Sequence, residues 1–241
     1  GAGGLVAPDA FAGLAGITTV SRQLLALEAP FGRGRLGLAA EHATDDDRAP
    51  VPGTAPGRPA RRTRLTAALS VPAAGAWWTA RVSDEREDGA LLGTQLSPAL
   101  GLLGGRSIEV GGAVAAEAGG VELRIAASRG WHQPLTGTAG LLRAAGPLRS
   151  SAWSVAAAAP AGDGRLRLTI ARPRAIDAGG FLVGADGTAR FVAARATAAE
   201  HAAEFGYAWH GLDLALFGRT NPGNVPGPAD AGFAIRWESG F

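Results

Sequence analysis

The chain has no cysteine and no lysine. Without cysteine there is no disulfide framework, no thiolate metal site and no cysteine nucleophile. Without lysine, all 23 basic residues are arginine, and the net charge is only +2. The sequence pI near 10.2 therefore reflects arginine without lysine rather than a strongly basic surface. A nucleic-acid partner calls for clustered basic residues. The one dense run, Arg58-Pro59-Ala60-Arg61-Arg62-Thr63-Arg64, reads as a solvated loop leading into a strand, so no nucleic acid is expected. No apolar run approaches the ~18 residues of a membrane helix. That argues against a helical membrane protein but leaves a barrel open, whose strands need only ~9–11 residues of alternating polarity. No basic start with an apolar core and cleavage site marks a signal peptide. Beginning at Gly1-Ala2-Gly3-Gly4, the chain reads as a mature fragment or a piece of something longer.

What is present is alternation. Near the C-terminus, Phe233, Ile235, Trp237 and Phe241 share one parity, and Ala234, Arg236, Glu238 and Gly240 share the other. The same two-faced pattern runs through 35–43, 61–71, 76–86, 107–117, 120–131, 149–159, 164–174, 203–210 and 212–219, and more weakly through 179–197. Period-two patterning of this kind predicts strands. A soluble sheet hides its apolar face in a core. A transmembrane barrel turns that face to lipid and its polar face to a wet lumen.

The connections favour the second reading. Short ones are expected around 31–34, 72–75, 118–119, 160–163, 184–187 and 210–211, and longer ones between them. This sorting fits short periplasmic turns and long extracellular loops. Counting back from Phe241 predicts a closed antiparallel barrel of about twelve strands beginning at Arg35, with residues 1–34 left as a linker or lumen plug. The lumen lining would be Glu41, Arg64, Arg81, Glu122, Arg124, Arg165, Arg167, Arg236 and Glu238. The lipid-interface aromatics would be Trp78, Trp131, Trp153, Trp209, Trp237 and Phe241, in two belts. Arg129 and Arg195 carry the outward parity near the external end, where arginine suits lipopolysaccharide phosphates.

Catalytic chemistry is not evident. None of the four histidines, His42, His132, His201 and His210, has a G-x-S-x-G context or the i, i+4 partner of a helical zinc site. Gly101–Gly105 lacks the Gly-Lys-Ser/Thr of a phosphate loop. Asp45-Asp46-Asp47 has no regular calcium-ligand spacing after it. His42 has outward parity, with Thr44 two residues on as its one candidate nucleophile. No catalytic residue, cofactor or metal site is expected, and the chain is not read as an enzyme.

Asp230-Ala231-Gly232-Phe233-Ala234-Ile235-Arg236-Trp237 through Phe241, with Leu91-Leu92-Gly93-Thr94-Gln95-Leu96 and Arg172-Pro173-Arg174, resembles the C-terminal region of alphaproteobacterial subtilisin-like serine peptidases. That region is similar to autotransporter translocator barrels. The resemblance runs from about Arg35 to Phe241 and implies a bacterial outer-membrane location. It also implies contact with outer-membrane lipids and the barrel-assembly machinery, and an N-terminal passenger that the barrel anchors and exports. The peptidase itself is absent from this chain. Some such barrels free their passenger through a linker asparagine; the only asparagines here are Asn221 and Asn224, in a late loop, which disfavours that chemistry. The competing expectation is a soluble all-β binding module of an extracellular protein.

Overall fold

This computed structural model describes residues 20–45, 60–92, 94–95, 100–137, 140–184 and 188–237. The strands, in chain order, are β1 (Val20–Phe31), β2 (Gly34–Asp45), β3 (Ala60–Ala73), β4 (Ala76–Asp88), β5 (Ala90–Leu91), β6 (Thr94–Gln95), β7 (Leu102–Ala118) and β8 (Val121–Thr136). They continue as β9 (Leu142–Ala144), β10 (Leu148–Ala161), β11 (Gly164–Ala178), β12 (Gly180–Val183), β13 (Arg190–Ala193), β14 (His201–Trp209), β15 (Leu212–Thr220) and β16 (Ala229–Trp237). Eleven of them form one sheet in the order β1-β2-β3-β4-β7-β8-β10-β11-β14-β15-β16. Every neighbouring pair is antiparallel. The fold is thus all-β, built on one large antiparallel meander.

The hairpins sort by length as their sequences require. At one end lie two-residue turns at 32–33, 74–75, 119–120, 162–163 and 210–211. Ala74-Gly75, Gly119-Gly120 and His210-Gly211 hold positive φ at both central residues, the geometry whose twist matches that of the flanking strands. At the other end lie the long connections 46–59, 89–101, 137–147, 179–200 and 221–228. Part of that material folds on itself: β9, β12 and β13 make a separate three-stranded sheet, and β5 pairs with β6.

Three expectations need correction. Residues 20–31 are not outside the sheet; β1 pairs with β2 along its whole length, from Val20↔Asp45 to Phe31↔Gly34. Only residues 1–19 of the expected plug remain, and they lie outside the described residues. Second, 179–197 does not add two strands to the main sheet. Its strands β12 and β13 pair with each other and with β9 instead. The expected turn at 184–187 therefore belongs to a long connection. Third, the main sheet counts eleven strands rather than about twelve, and β1 and β16 stand at its two edges. With an odd count, both edge strands run from the long-loop end to the short-turn end. Val20 and Trp237 consequently lie at opposite ends of the sheet.

The sheet's two faces are inverted relative to a soluble protein. Its buried strand residues are mostly polar or small: Glu41, Ser70, Ser83, Glu85, Glu87, Ser107, Glu109, His132 and Ser150, with alanines such as Ala68, Ala171 and Ala202 among them. Its large apolar side chains are exposed on the opposite face, among them Leu38, Leu69, Val82, Ile108, Leu123, Ile125, Leu168 and Leu214. The one apolar cluster among the described residues is small. Leu91, Leu102 and Leu148 pack with Leu92, Leu142, Ile176, Phe181 and Ala194 where the long connections meet.

Candidate functional site

The polar face is built row by row, because directly paired residues of neighbouring strands project to the same side. One row runs Glu41, Arg64, Glu85, Ser107, His132, Leu148 across β2, β3, β4, β7, β8 and β10. The next row toward the short turns runs Thr66, Ser83, Glu109, Gly130, Ser150. Acidic and basic positions are interleaved, so the face is wired with ion pairs. Glu41 accepts from Arg62 at 2.8 Å, and Arg64 lies 3.8 Å from Glu85. Glu109 is the hub: Arg81 donates to it at 2.9 Å, Arg64 stands at 4.0 Å, and Arg174 donates to its second oxygen.

Several of these bonds join strands that are not neighbours. Arg64 and Glu109 are separated by β4, Arg165 and Glu122 (2.7 Å) by β10, and Arg167 and Asp213 (2.7 Å) by β14. Arg174 reaches Glu109 past both β8 and β10. Adjacent strands are ~4.8 Å apart. Such spans close because the sheet curls toward its polar side, which is also why that side is the buried one.

Two local features make room on the concave side. Gly111 sits where a Cβ would come 3.0 Å from the Arg81 Nε, and Gly206 where one would come 3.2 Å from the Arg167 guanidinium. Glycine at these points lets the arginines lie flat across the strands. Further along β11, a register shift opposite Ser151 and Trp153 breaks the alternation. It turns Arg174 to the concave side, away from the outward parity of Ile170 and Arg172. His132 is fully buried there; its ring nitrogens bond Ser107 Oγ at 2.8 Å and Ser150 Oγ at 2.6 Å. Serines on two neighbouring strands thus fix both edges of the imidazole.

Of the expected lining, Glu41, Arg64, Arg81, Glu122, Arg124, Arg165, Arg167 and Arg236 all fall on this face. Arg236 is paired across the ladder with Asp213, and Glu238 lies outside the described residues. The sequence reading did not name Arg62, Glu85, Glu109, His132, Arg174 or Asp213 as lining. Parity alone would have found Glu109 and Asp213; Arg174 is hidden by the bulge.

On the opposite face, Trp78, Trp209 and Trp237 stand at or beside the short-turn ends of their strands. Trp131 and Trp153 lie toward the long-loop ends of β8 and β10. All five are exposed; Phe241 lies outside the described residues. Trp77 points the other way and carries the Arg35 guanidinium 5.6 Å from its ring centre. Arg129 shares the outward row of Val110 and Val82. Arg195 does not sit on a strand: β13 ends at Ala193, and the residue lies in the irregular stretch before β14.

His42 is also outward. Its Nδ1 lies 3.2 Å from Thr63 Oγ1, and its Nε2 lies 3.4 Å from Thr44 Oγ1. The group behind the ring is a hydroxyl, not a carboxylate, so it supplies no negative charge to an imidazolium. Asp46 and Asp47 are outside the described residues. Asn221 and Asn224 tie down their loop: Asn221 donates to the Ala199 carbonyl at 3.1 Å, and Asn224 to the Arg174 carbonyl at 3.3 Å. In comparisons with known proteins, no family model, no curated protein and no solved structure matches the chain.

Proposed function

We propose that this chain is an outer-membrane β-barrel acting as the translocator and anchor of an autotransporter-like protein, with a subtilisin-like peptidase as the passenger. One observation carries the reading: the large sheet exposes its apolar face and buries its charged one. Soluble monomers rarely expose an apolar patch beyond a few hundred Å². Here the exposed apolar side chains continue across all eleven strands, and lipid is the solvent that such a face suits.

The dimensions agree with that solvent. From Val121 to Trp131 the chain rises ~33 Å along β8, which becomes ~25 Å at a tilt of ~40°. That is the height of an outer-membrane apolar band, and tryptophans stand near both of its limits. The interleaved Arg and Glu of the concave face suit a water-filled or ion-paired lumen. In this setting β1 enters the sheet at the long-loop, external end. A passenger joined ahead of Val20 would therefore stand outside the cell without its linker having to remain in the lumen. Assembly of the strands would fall to the barrel-assembly machinery, as for other outer-membrane barrels.

The alternative, a soluble all-β module, has one observation in its favour. β1 and β16 leave two unpaired edges, which water tolerates and lipid does not. Spin labels at Leu123 and Arg124, neighbours on β8 that face opposite ways, separate the two readings. A barrel in bilayers gives Leu123 high access to lipid-soluble oxygen and Arg124 low access. Equal access at both sites, or a chain that stays folded and monomeric with no detergent, would remove the membrane reading.

A further inference from the structure

On the outward face a second row crosses six adjacent strands: Gln23, His42, Thr63, Arg86, Arg106, Gln133. Every side chain in it is polar and exposed, on the face that carries the sheet's exposed leucine, isoleucine and valine side chains. Each stands within a few residues of the long-loop end of its strand. No single strand reveals this row; only the register assembles it.

Its charges are not balanced as those of the concave face are. Arg106 is held by Asp84 through two bonds, Nε to Oδ1 at 3.0 Å and Nη2 to Oδ2 at 2.9 Å. Arg86 has no ion-pair partner among the described residues, and neither has Arg61, two residues before Thr63 on β3. Asp88 lies opposite Arg61 in the ladder, yet the two form no ion pair. Arg61, Thr63 and Arg86 therefore make a compact outward group. Directly paired residues have Cβ atoms ~5 Å apart, and alternate residues of one strand lie ~7 Å apart. The Thr63 hydroxyl and the His42 imidazole stand together at its edge, 3.2 Å apart. One row down, toward the short turns, stand Ala40, Leu65 and Asp84, the carboxylate held by Arg106 and also in coulombic reach of Arg86. Beneath that row, Leu38 and Val82 continue an exposed apolar surface with Leu65.

We infer that Arg61 and Arg86, with Thr63 and His42 between and beside them, form a binding site for the phosphate monoester of an acylated glycolipid in the outer leaflet. The inference rests on the outer-membrane reading and moves the lipid site from Arg129 and Arg195 to β2, β3 and β4. Two guanidinium forks offer planar paired donors to phosphate oxygens, and the Thr63 hydroxyl, accepting from the His42 Nδ1–H, keeps its own proton for one further bond. The apolar surface beneath the clamp specifies the rest of the ligand: acyl chains run down Leu65 and Leu38 while the phosphate stays at the level of the arginines. Free phosphate has no use for that surface.

The test has two stages. Flotation of the whole chain with phosphatidylcholine vesicles asks whether it inserts at all. Native mass spectrometry from a neutral detergent then counts bound lipid, using lipid A, dephosphorylated lipid A and inorganic phosphate as probes. The wild type should hold one lipid A. The Arg61→Gln/Arg86→Gln double variant should hold it about tenfold less well or worse, since both charge-assisted contacts are lost. Arg33→Gln, in a turn at the far end of the sheet, should match the wild type. Dephosphorylated lipid A should not be retained, and excess inorganic phosphate should not displace lipid A. If the chain floats but the double variant keeps lipid A as the wild type does, this site falls and the barrel stands. Displacement by inorganic phosphate would make the group an anion site and overturn the lipid assignment. A chain that does not float with the vesicles would remove the barrel reading and this site together.

Discussion

Arg174 on β11 bonds Glu109 on β7 across two intervening strands, and in doing so braces the middle of the curled sheet. Arg81 and Arg64 meet the same carboxylate from β4 and β3, so four strands converge on one side chain that is only 7% exposed. Neutralising it removes the one carboxylate that three guanidinium groups share in a confined space. Glu109→Gln is expected to cost about 2–3 kcal/mol, below the ~3–5 of a fully buried broken pair because the arginines keep some water. The Arg165–Glu122 pair is half exposed on both sides, at 49% and 51%, and Glu122→Gln should cost less than ~1 kcal/mol. Urea midpoints of the two variants, refolded in the same detergent, decide the matter. Equal loss in both would show that the hub does not hold the curl.

A second pair of substitutions probes the same face through space rather than charge. A Cβ at Gly130 would lie 2.7 Å from His132 Nε2 and 2.8 Å from Ser150 Oγ. Both atoms are locked by their mutual hydrogen bond in a site with no exposure, so neither can withdraw. Gly130→Ala should cost ~1–3 kcal/mol as an overpacked interior does. Gly112 faces outward, and its nearest contact would be ordinary at 3.4 Å. There alanine should be neutral or slightly stabilising, since strand glycines carry an entropic cost of ~0.5–1 kcal/mol. A Gly130→Ala chain as stable as Gly112→Ala would contradict the packed polar interior.

Alternation makes most of the strands and their facing legible in the sequence. Leu123 and Arg124, or Leu168 and Arg167, point as their parity says. Alternation failed where one face offers no contrast. In β1, Leu24 shares the concave row of Glu41 while Leu25 and Leu27 face outward, so apolar residues on both sides erase the period. Phe181, Leu182 and Val183 are also unbroken by polarity, because they belong to the small sheet and apolar cluster at the long-loop end rather than to the curled sheet. Arg174 was passed over for another reason: a bulge changes parity without changing composition. The outward polar row was invisible because it exists only in the register of six strands.

The two edges set a condition on any closed form. β1 and β16 run the same way, so if they join, they join as parallel neighbours, unlike every other pair in the sheet. Their outward residues are open on one side: Phe233 is 72% exposed and Leu27 is 63%, against 49% for Leu38 on an inner strand. The chain has no cysteine, so introduced pairs are free of competition. Leu27→Cys combined with Phe233→Cys, or with Ile235→Cys as the alternative register, should oxidise to an intramolecular disulfide in lipid vesicles and not in urea. Absence of the cross-link for both pairs in inserted protein would exclude closure through these edges.

Truncation tests the other consequence of β1. Removing residues 1–19 takes away nothing of the described sheet, whereas removing 1–31 strips the partner from β2 along twelve paired positions. Those positions carry Leu25, Leu27 and Phe31 on the outward side, and Glu28 bonded to Arg35 at 3.1 Å on the other. In lipid the loss also bares a row of backbone donors and acceptors that no water can satisfy. The shorter deletion should therefore fold in detergent with an unchanged urea midpoint. The longer one should fail to reach the heat-modifiable form on electrophoresis, or unfold at clearly lower urea. If the chain lacking 1–31 folds as well as the chain lacking 1–19, β1 is dispensable, and the sheet proper begins at Gly34.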